Sequence, residues 1–232
     1  MSALIPNCVS YDPTYGYEVA VIVQDGLRRM VGEHEDVFYY LTVMNENYAQ
    51  PAMPEGAEEG ILRGMHVIRE ADEAQVQLLG SGTILREVLA GADLLAEDFG
   101  VGAHVWSVTS FTELRRDGMA AERHNRLHPT AQQRESYVEQ ALGGRGGPVV
   151  AATDYIRALP DGIRPWVQAP YTVLGTDGFG RSDYRKALRR FFEVDRHHVV
   201  VAALHALGRD EDAAAAIEKY GIDPELEAPW QI

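Results

Sequence analysis

From Gln75 onward, short apolar runs rich in β-branched residues alternate with stretches of helical period, and this alternation limits the possible folds more than any other feature of the chain. Residues 76–79 read as a strand. Residues 83–99 read as a helix, apolar at Ile84, Leu85, Val88, Leu89, Ala92, Leu95 and Ala96. Strands are predicted again at 104–109, 148–153 and 171–175. Helices are predicted at 114–128, 137–142, 182–192, 195–208 and 211–220, while 155–167 is mixed and broken by proline. Strands separated by helices imply right-handed βαβ crossovers and a mainly parallel sheet covered on both faces. The expectation is an α/β, three-layer, mainly parallel sheet domain over 71–232.

The preceding residues do not fit this scheme. Residues 7–11 suggest a short strand broken by Asp12-Pro13, and 18–31 a helix with Val19, Ile22, Val23, Leu27 and Met30 near 3.6 spacing. Residues 37–43 are β-branched and aromatic, as in a buried strand, and 55–68 read as a helix. One strand–helix–strand unit cannot cover its own faces. Residues 1–50 therefore look like a partial remnant of an upstream domain, and 51–70, punctuated by Pro51 and Pro54, like a linker. The apolar strand at 37–43 should promote self-association.

Composition narrows the partners. Of 232 residues 46% are hydrophobic, enough for a sizeable core, and the net charge of −14 repels phosphate backbones. No stretch approaches the roughly 20 apolar residues of a membrane helix, and residues 1–6 do not resemble a secretory signal. Neither nucleic acid nor membrane is expected as a partner. The single cysteine, Cys8, cannot form an internal disulfide, which suits a reducing cytoplasm, and it reads as buried and inert. The densest basic run, 181–196, reads as the solvated face of an amphipathic helix.

Two loops stand out as candidate interface or channel elements. Gly80-Ser81-Gly82 lies between a strand and a helix, but Leu85 occupies the third glycine position of a dinucleotide fingerprint. A structural turn, or contact with a ligand held mainly by another domain, fits better. The stretch containing Asp177, Phe179 and Arg181 lies between the last strand and the next helix, where α/β proteins often place function. It is read as an interface loop, with direct substrate contact as the alternative. His124 and His128 have zinc-like i, i+4 spacing, but no third ligand is evident and Pro129 ends the helix. Of His197 and His198, one is expected exposed and one packed. No catalytic, cofactor-binding or metal residue is assigned.

Several runs together resemble one family. They are Ile5-Pro6-Asn7-Cys8-Val9-Ser10-Tyr11-Asp12-Pro13, Asn45-Glu46-Asn47-Tyr48, Pro51-Ala52-Met53-Pro54-Glu55-Gly56, Leu78-Leu79-Gly80-Ser81-Gly82, Val108-Thr109-Ser110-Phe111-Thr112-Glu113-Leu114, and Leu174-Gly175-Thr176-Asp177-Gly178-Phe179-Gly180-Arg181-Ser182-Asp183. In order and content they are similar to the C-terminal end of the homodimeric pyruvate dehydrogenase decarboxylase component, a thiamine-diphosphate enzyme of the transketolase superfamily. The resemblance implies pyruvate as substrate, thiamine diphosphate and magnesium as cofactors, and a dihydrolipoyl acetyltransferase whose lipoyl group is acetylated. It also implies a cytoplasmic homodimer with the cofactor held between upstream domains. Residues 1–50 then correspond to the tail of the pyrimidine-binding domain, 51–70 to the interdomain linker, and 71–232 to the transketolase-like C-terminal domain. The Gly-Asp-Gly…Asn diphosphate motif is not in the sequence, so this piece is expected to be inactive alone and to serve dimer assembly. The alternatives are a free-standing ligand-binding module using the two glycine loops, and an interaction protein that modulates a full-length relative.

Overall fold

The computed structural model describes residues 2–232. Its main body is a five-stranded sheet in the order β3-β5-β4-β6-β7. The strands are β3 (Met65–Arg69), β4 (Ala74–Gly80), β5 (Gly102–Val108), β6 (Val149–Ala152) and β7 (Tyr171–Leu174). β4, β5, β6 and β7 run parallel, and β3 adds an antiparallel edge against β5.

Neighbouring residues on each inner strand bury into opposite layers, as the two-residue period of a strand requires. Leu78, Val105 and Val150 pack on one face, while Leu79, Trp106 and Ala151 pack on the other. The first face is covered by α3 (Leu85–Phe99), α8 (Arg196–Ala206) and α9 (Asp210–Lys219), through Leu85, Val88, Leu95, Val199, Leu204 and Ala216. The second is covered by α4 (Phe111–Leu127) and α5 (Tyr137–Leu142), with Leu114 and Val138 fully buried. The short α6 (Ala158–Asp161) and α7 (Arg185–Phe191) complete the helices of this body. The three-layer, mainly parallel α/β expectation is correct.

Of the helix predicted at 55–68, only the first half forms. α2 (Ala57–Arg63) ends at Gly64, whose φ of +112 is a conformation that side chains with a Cβ avoid, and β3 begins at the next residue. A side chain at Gly64 would also begin 2.6 Å from the Ser110 carbonyl oxygen, so the turn is fixed by packing as well as by φ. The apolar residues at 65–68 continue the pattern of α2 only if that glycine is ignored.

Ahead of this body, β1 (Cys8–Tyr11) and β2 (Phe38–Leu41) form a separate parallel pair, joined through α1 (Gly16–Leu27) and a further π-helical turn at Arg28–Gly32. Val9, Tyr11, Ile22, Ala57 and Ile61 make their shared core. The strand predicted at 37–43 is shorter than read, and it is not buried: Phe38, Tyr40 and the following Val43 are exposed. Cys8 is buried, as expected.

Candidate functional site

β4 is the strand at which the sheet changes direction. The chain crosses from β4 to β5 on one side and later returns to β6 on the other. The C-terminal end of such a strand opens a crevice that parallel α/β proteins commonly use for ligands. Gly80-Ser81-Gly82 forms its lip, and the crevice is filled by the protein's own Asp12-Pro13-Thr14. The Asp12 N–H donates to Thr109 O at 2.7 Å, and the Gly82 N–H donates to Asp12 O at 3.1 Å. The Thr14 hydroxyl donates to Gly82 O at 2.7 Å. Ser81 bonds across to Thr153 at 2.9 Å, while its N–H reaches Ala152 O.

The closeness of Asp12 explains Gly82. Its φ is +47, and a side chain there would begin 2.5–2.7 Å from the Asp12 carboxylate. Oδ1 of Asp12 accepts from the Thr42 hydroxyl at 2.6 Å, and Thr42 accepts from the Tyr155 hydroxyl at 3.1 Å. Oδ2 is buried without a hydrogen-bond partner. Burial pushes the Asp12 carboxyl up to about 6, with the Thr42 and Ser81 hydroxyls opposing. It lifts the Tyr155 phenol to about 12, the charge of Asp12 adding to the effect. Asp12, Thr42, Ser81 and Tyr155 also border an open groove of about 530 Å³ whose apolar wall includes Phe111 and Leu159.

This lip does not fit a diphosphate. The Gly82 N–H that would bind one is taken, and a carboxylate stands where the anion would lie. Among the described residues no group of three or more His, Cys, Asp or Glu is placed to hold a metal ion. His124 and His128 stack on each other at 4.4 Å on the surface. His197 stacks on Tyr220 at 4.5 Å, and His198 lies 2.7 Å from Asp195. Both are half-buried, so the expected division into one exposed and one packed side chain does not hold.

A second junction lies beside the first. Glu18, fully buried on α1, accepts from the N–H groups of Thr14 and Tyr15 and from the Ser107 hydroxyl. It also meets His66 of β3 at 2.8 Å. Sequence reasoning missed both junctions. Asp12-Pro13 was read only as a strand break, and His66 lay inside the mispredicted helix.

The loop after β7 stands apart from Asp12. The Asp177 carboxylate accepts the Arg157 N–H at 2.9 Å, Phe179 is 83% exposed, and Arg181 lies over the Phe191 ring at 4.1 Å. Arg181 shares a second groove with Thr83 and Arg189. The basic run is not merely a solvated face. Arg189 is largely withdrawn from solvent, bonding Glu87 and Thr83 and lying 3.5 Å from Glu46, while Arg185 reaches Asn45. No helix is long and apolar enough to cross a membrane among the described residues.

Two family models match the chain: the transketolase-like TK C-terminal domain over residues 64–195, and the pyruvate dehydrogenase E1 component middle domain over 1–51. The pyruvate dehydrogenase E1 component of Pseudomonas aeruginosa is 61% identical over 238 aligned positions, and that of Escherichia coli K12 is 53% identical over 237. These alignments cover 99% and 98% of this chain but only 27% and 26% of the relatives, so the chain spans about a quarter of their length. Transketolase from Campylobacter jejuni superposes with a TM-score of 0.62 at 20% identity, over 88% of this chain and 27% of that one. A split-gene transketolase, described as an inactive beta4 tetramer, gives 0.56 at 17% identity over 89% and 60%. The chain belongs to the family of transketolase-like C-terminal domains, in the form found in the C-terminal portion of pyruvate dehydrogenase E1 components.

Proposed function

We propose that this chain supplies the assembly and wall-forming part of an enzyme that decarboxylates pyruvate on thiamine diphosphate and acetylates the lipoyl group of a dihydrolipoyl acetyltransferase. In this reading the enzyme is a cytoplasmic homodimer, and thiamine diphosphate and magnesium are held by portions upstream of the residues seen here. Residues 1–50 are the tail of the preceding domain, and the C-terminal domain begins near residue 64 rather than 71, because β3 at Met65–Arg69, expected within the connection, is a strand of the five-stranded sheet. The observation that carries the reading is the seating of the 12–14 loop in the crevice at β4, where a ligand would otherwise bind. A crevice filled by the neighbouring segment serves to join domains. Gly80, Ser81 and Gly82 then act as the socket, while Asp177, Phe179 and Arg181 belong to a loop available to another domain or subunit.

The reading is tested by reconstitution. The chain alone should give no calorimetric signal with thiamine diphosphate and magnesium, and no pyruvate-dependent dye reduction. Mixed with the separately produced upstream portion of a relative, it should restore pyruvate turnover. Saturable cofactor binding by the chain alone would overturn the reading, as would a mixture that assembles stably yet stays inactive.

A further inference from the structure

The plug in the crevice carries an acid with no counter-ion. Asp12 is bonded through its main chain to Thr109 beyond β5 and to Gly82 beyond β4, so its side chain cannot swing clear while the loop is seated. Oδ1 has the Thr42 hydroxyl, while Oδ2 has no partner of good hydrogen-bond geometry, the nearby Ser81 hydroxyl giving only partial support to the charged form. The groups that act on this carboxylate are Glu18 from α1, Asp154 and Tyr155 from the loop after β6, Thr42 after β2 and Ser81 after β4. None of them is a cation. A half-buried carboxylate with one oxygen enclosed and two other carboxylates nearby is favoured in its protonated form.

We propose that Asp12 is a proton-operated latch: protonation secures the 12–14 loop in the crevice, and ionisation loosens residues 1–50 from the five-stranded sheet. The sign follows from linkage. Asp12 titrates near 3.8 when exposed and about 6 when seated, so the seated form holds the proton more tightly. The extra hold is complete below the exposed value and is lost as pH rises through the seated one. A difference of this size corresponds to about 100-fold in the seating equilibrium. The inference stands or falls apart from the proposed activity.

Cys8 provides the readout. It is the only cysteine, it lies on β1 directly ahead of the loop, and it is 2% exposed, so a thiol reagent reaches it only when the segment lifts. Its modification rate, divided by that of an unfolded cysteine peptide at each pH, measures the lifted fraction. Between about pH 4.5 and about pH 7.5 this ratio should rise about 25-fold, half of the final level being reached near the seated value. Asp12→Asn, neutral at every pH, should flatten the profile. Asp154→Asn removes a like charge and should move the midpoint down while keeping the rise. A flat wild-type profile, or a rise that survives in Asp12→Asn, would overturn the latch. If Asp12→Asn does not fold, a midpoint unmoved by Asp154→Asn would do the same.

Discussion

Glu18 and His66 meet at 2.8 Å with neither side chain open to solvent, and the contact pins α1 to the antiparallel edge of the sheet. The carboxylate also terminates the Thr14 and Tyr15 N–H groups and the Ser107 hydroxyl. Removing it strands four buried donors at once. Glu18→Ala should cost about 2–4 kcal/mol in urea denaturation, as expected for leaving several buried donors without an acceptor. Glu18→Gln keeps an acceptor oxygen and should lose less. An alanine variant with an unchanged denaturation midpoint would show that the junction does not hold the two parts together.

Gly82 is required by the same junction. Gly82→Ala imposes a strained φ and places a methyl group 2.5–2.7 Å from the Asp12 carboxylate. A cost of about 2 kcal/mol or more is expected in thermal or chemical melting, combining left-handed strain with overpacking. Because the methyl group collides with Asp12, Asp12→Ala in the same molecule should relieve part of the loss. Simple additivity in the double-mutant cycle would disprove direct contact.

Glu87 makes the acid limb of stability predictable. Buried on α3, it pairs with Arg189 at 3.0 Å and with Arg196 at 2.9 Å. Burial works to raise its pKa, but hydrogen bonds and charge from Arg196, with Arg189 behind, outweigh it and hold the carboxyl below its usual range. A depressed pKa means that the unfolded chain binds the proton more readily. The resulting stability is present above the ordinary carboxylate value, about 4.3, and is lost as pH falls through the folded one. Glu87→Gln should therefore be less stable than wild type at neutral pH, with the gap narrowing as the acid limb is descended. Melting temperatures across that range would show it, and a gap of constant size would refute the assignment.

The layered body was legible in the sequence because each inner strand is short, apolar and bounded by glycine or proline, and because α3 carries a clear apolar stripe. β3 was not legible, since local periodicity cannot distinguish an apolar strand that directly follows a helix from one more turn of that helix. Only the turn at Gly64 separates them, and its positive φ is invisible without the Ser110 carbonyl that crowds it. The junction residues were hidden for a related reason. Asp12, Glu18, His66, Ser107 and Tyr155 lie far apart in sequence and act together only after the chain crosses from β1 to β5 and β6. The glycine loop stands out in the sequence, yet its partner proves to be a carboxylate of the same chain.

The exposed apolar residues of the N-terminal segment lead to a final prediction. Leu27 and Val31 are 60% and 65% exposed, Tyr40 is 53% and Val43 72%, while β2 pairs with β1 alone. Exposed apolar side chains and an unpaired strand edge each favour association with another surface when one is offered. The purified chain should therefore self-associate reversibly, with a sedimentation coefficient that rises with concentration. Val31→Glu together with Val43→Lys should suppress this while leaving the melting temperature nearly unchanged, because both side chains point to solvent. If the wild-type chain sediments as a monomer at high concentration, the exposed face is compatible with water as it stands. If the charged variant associates as strongly as wild type, the contact lies elsewhere on the molecule.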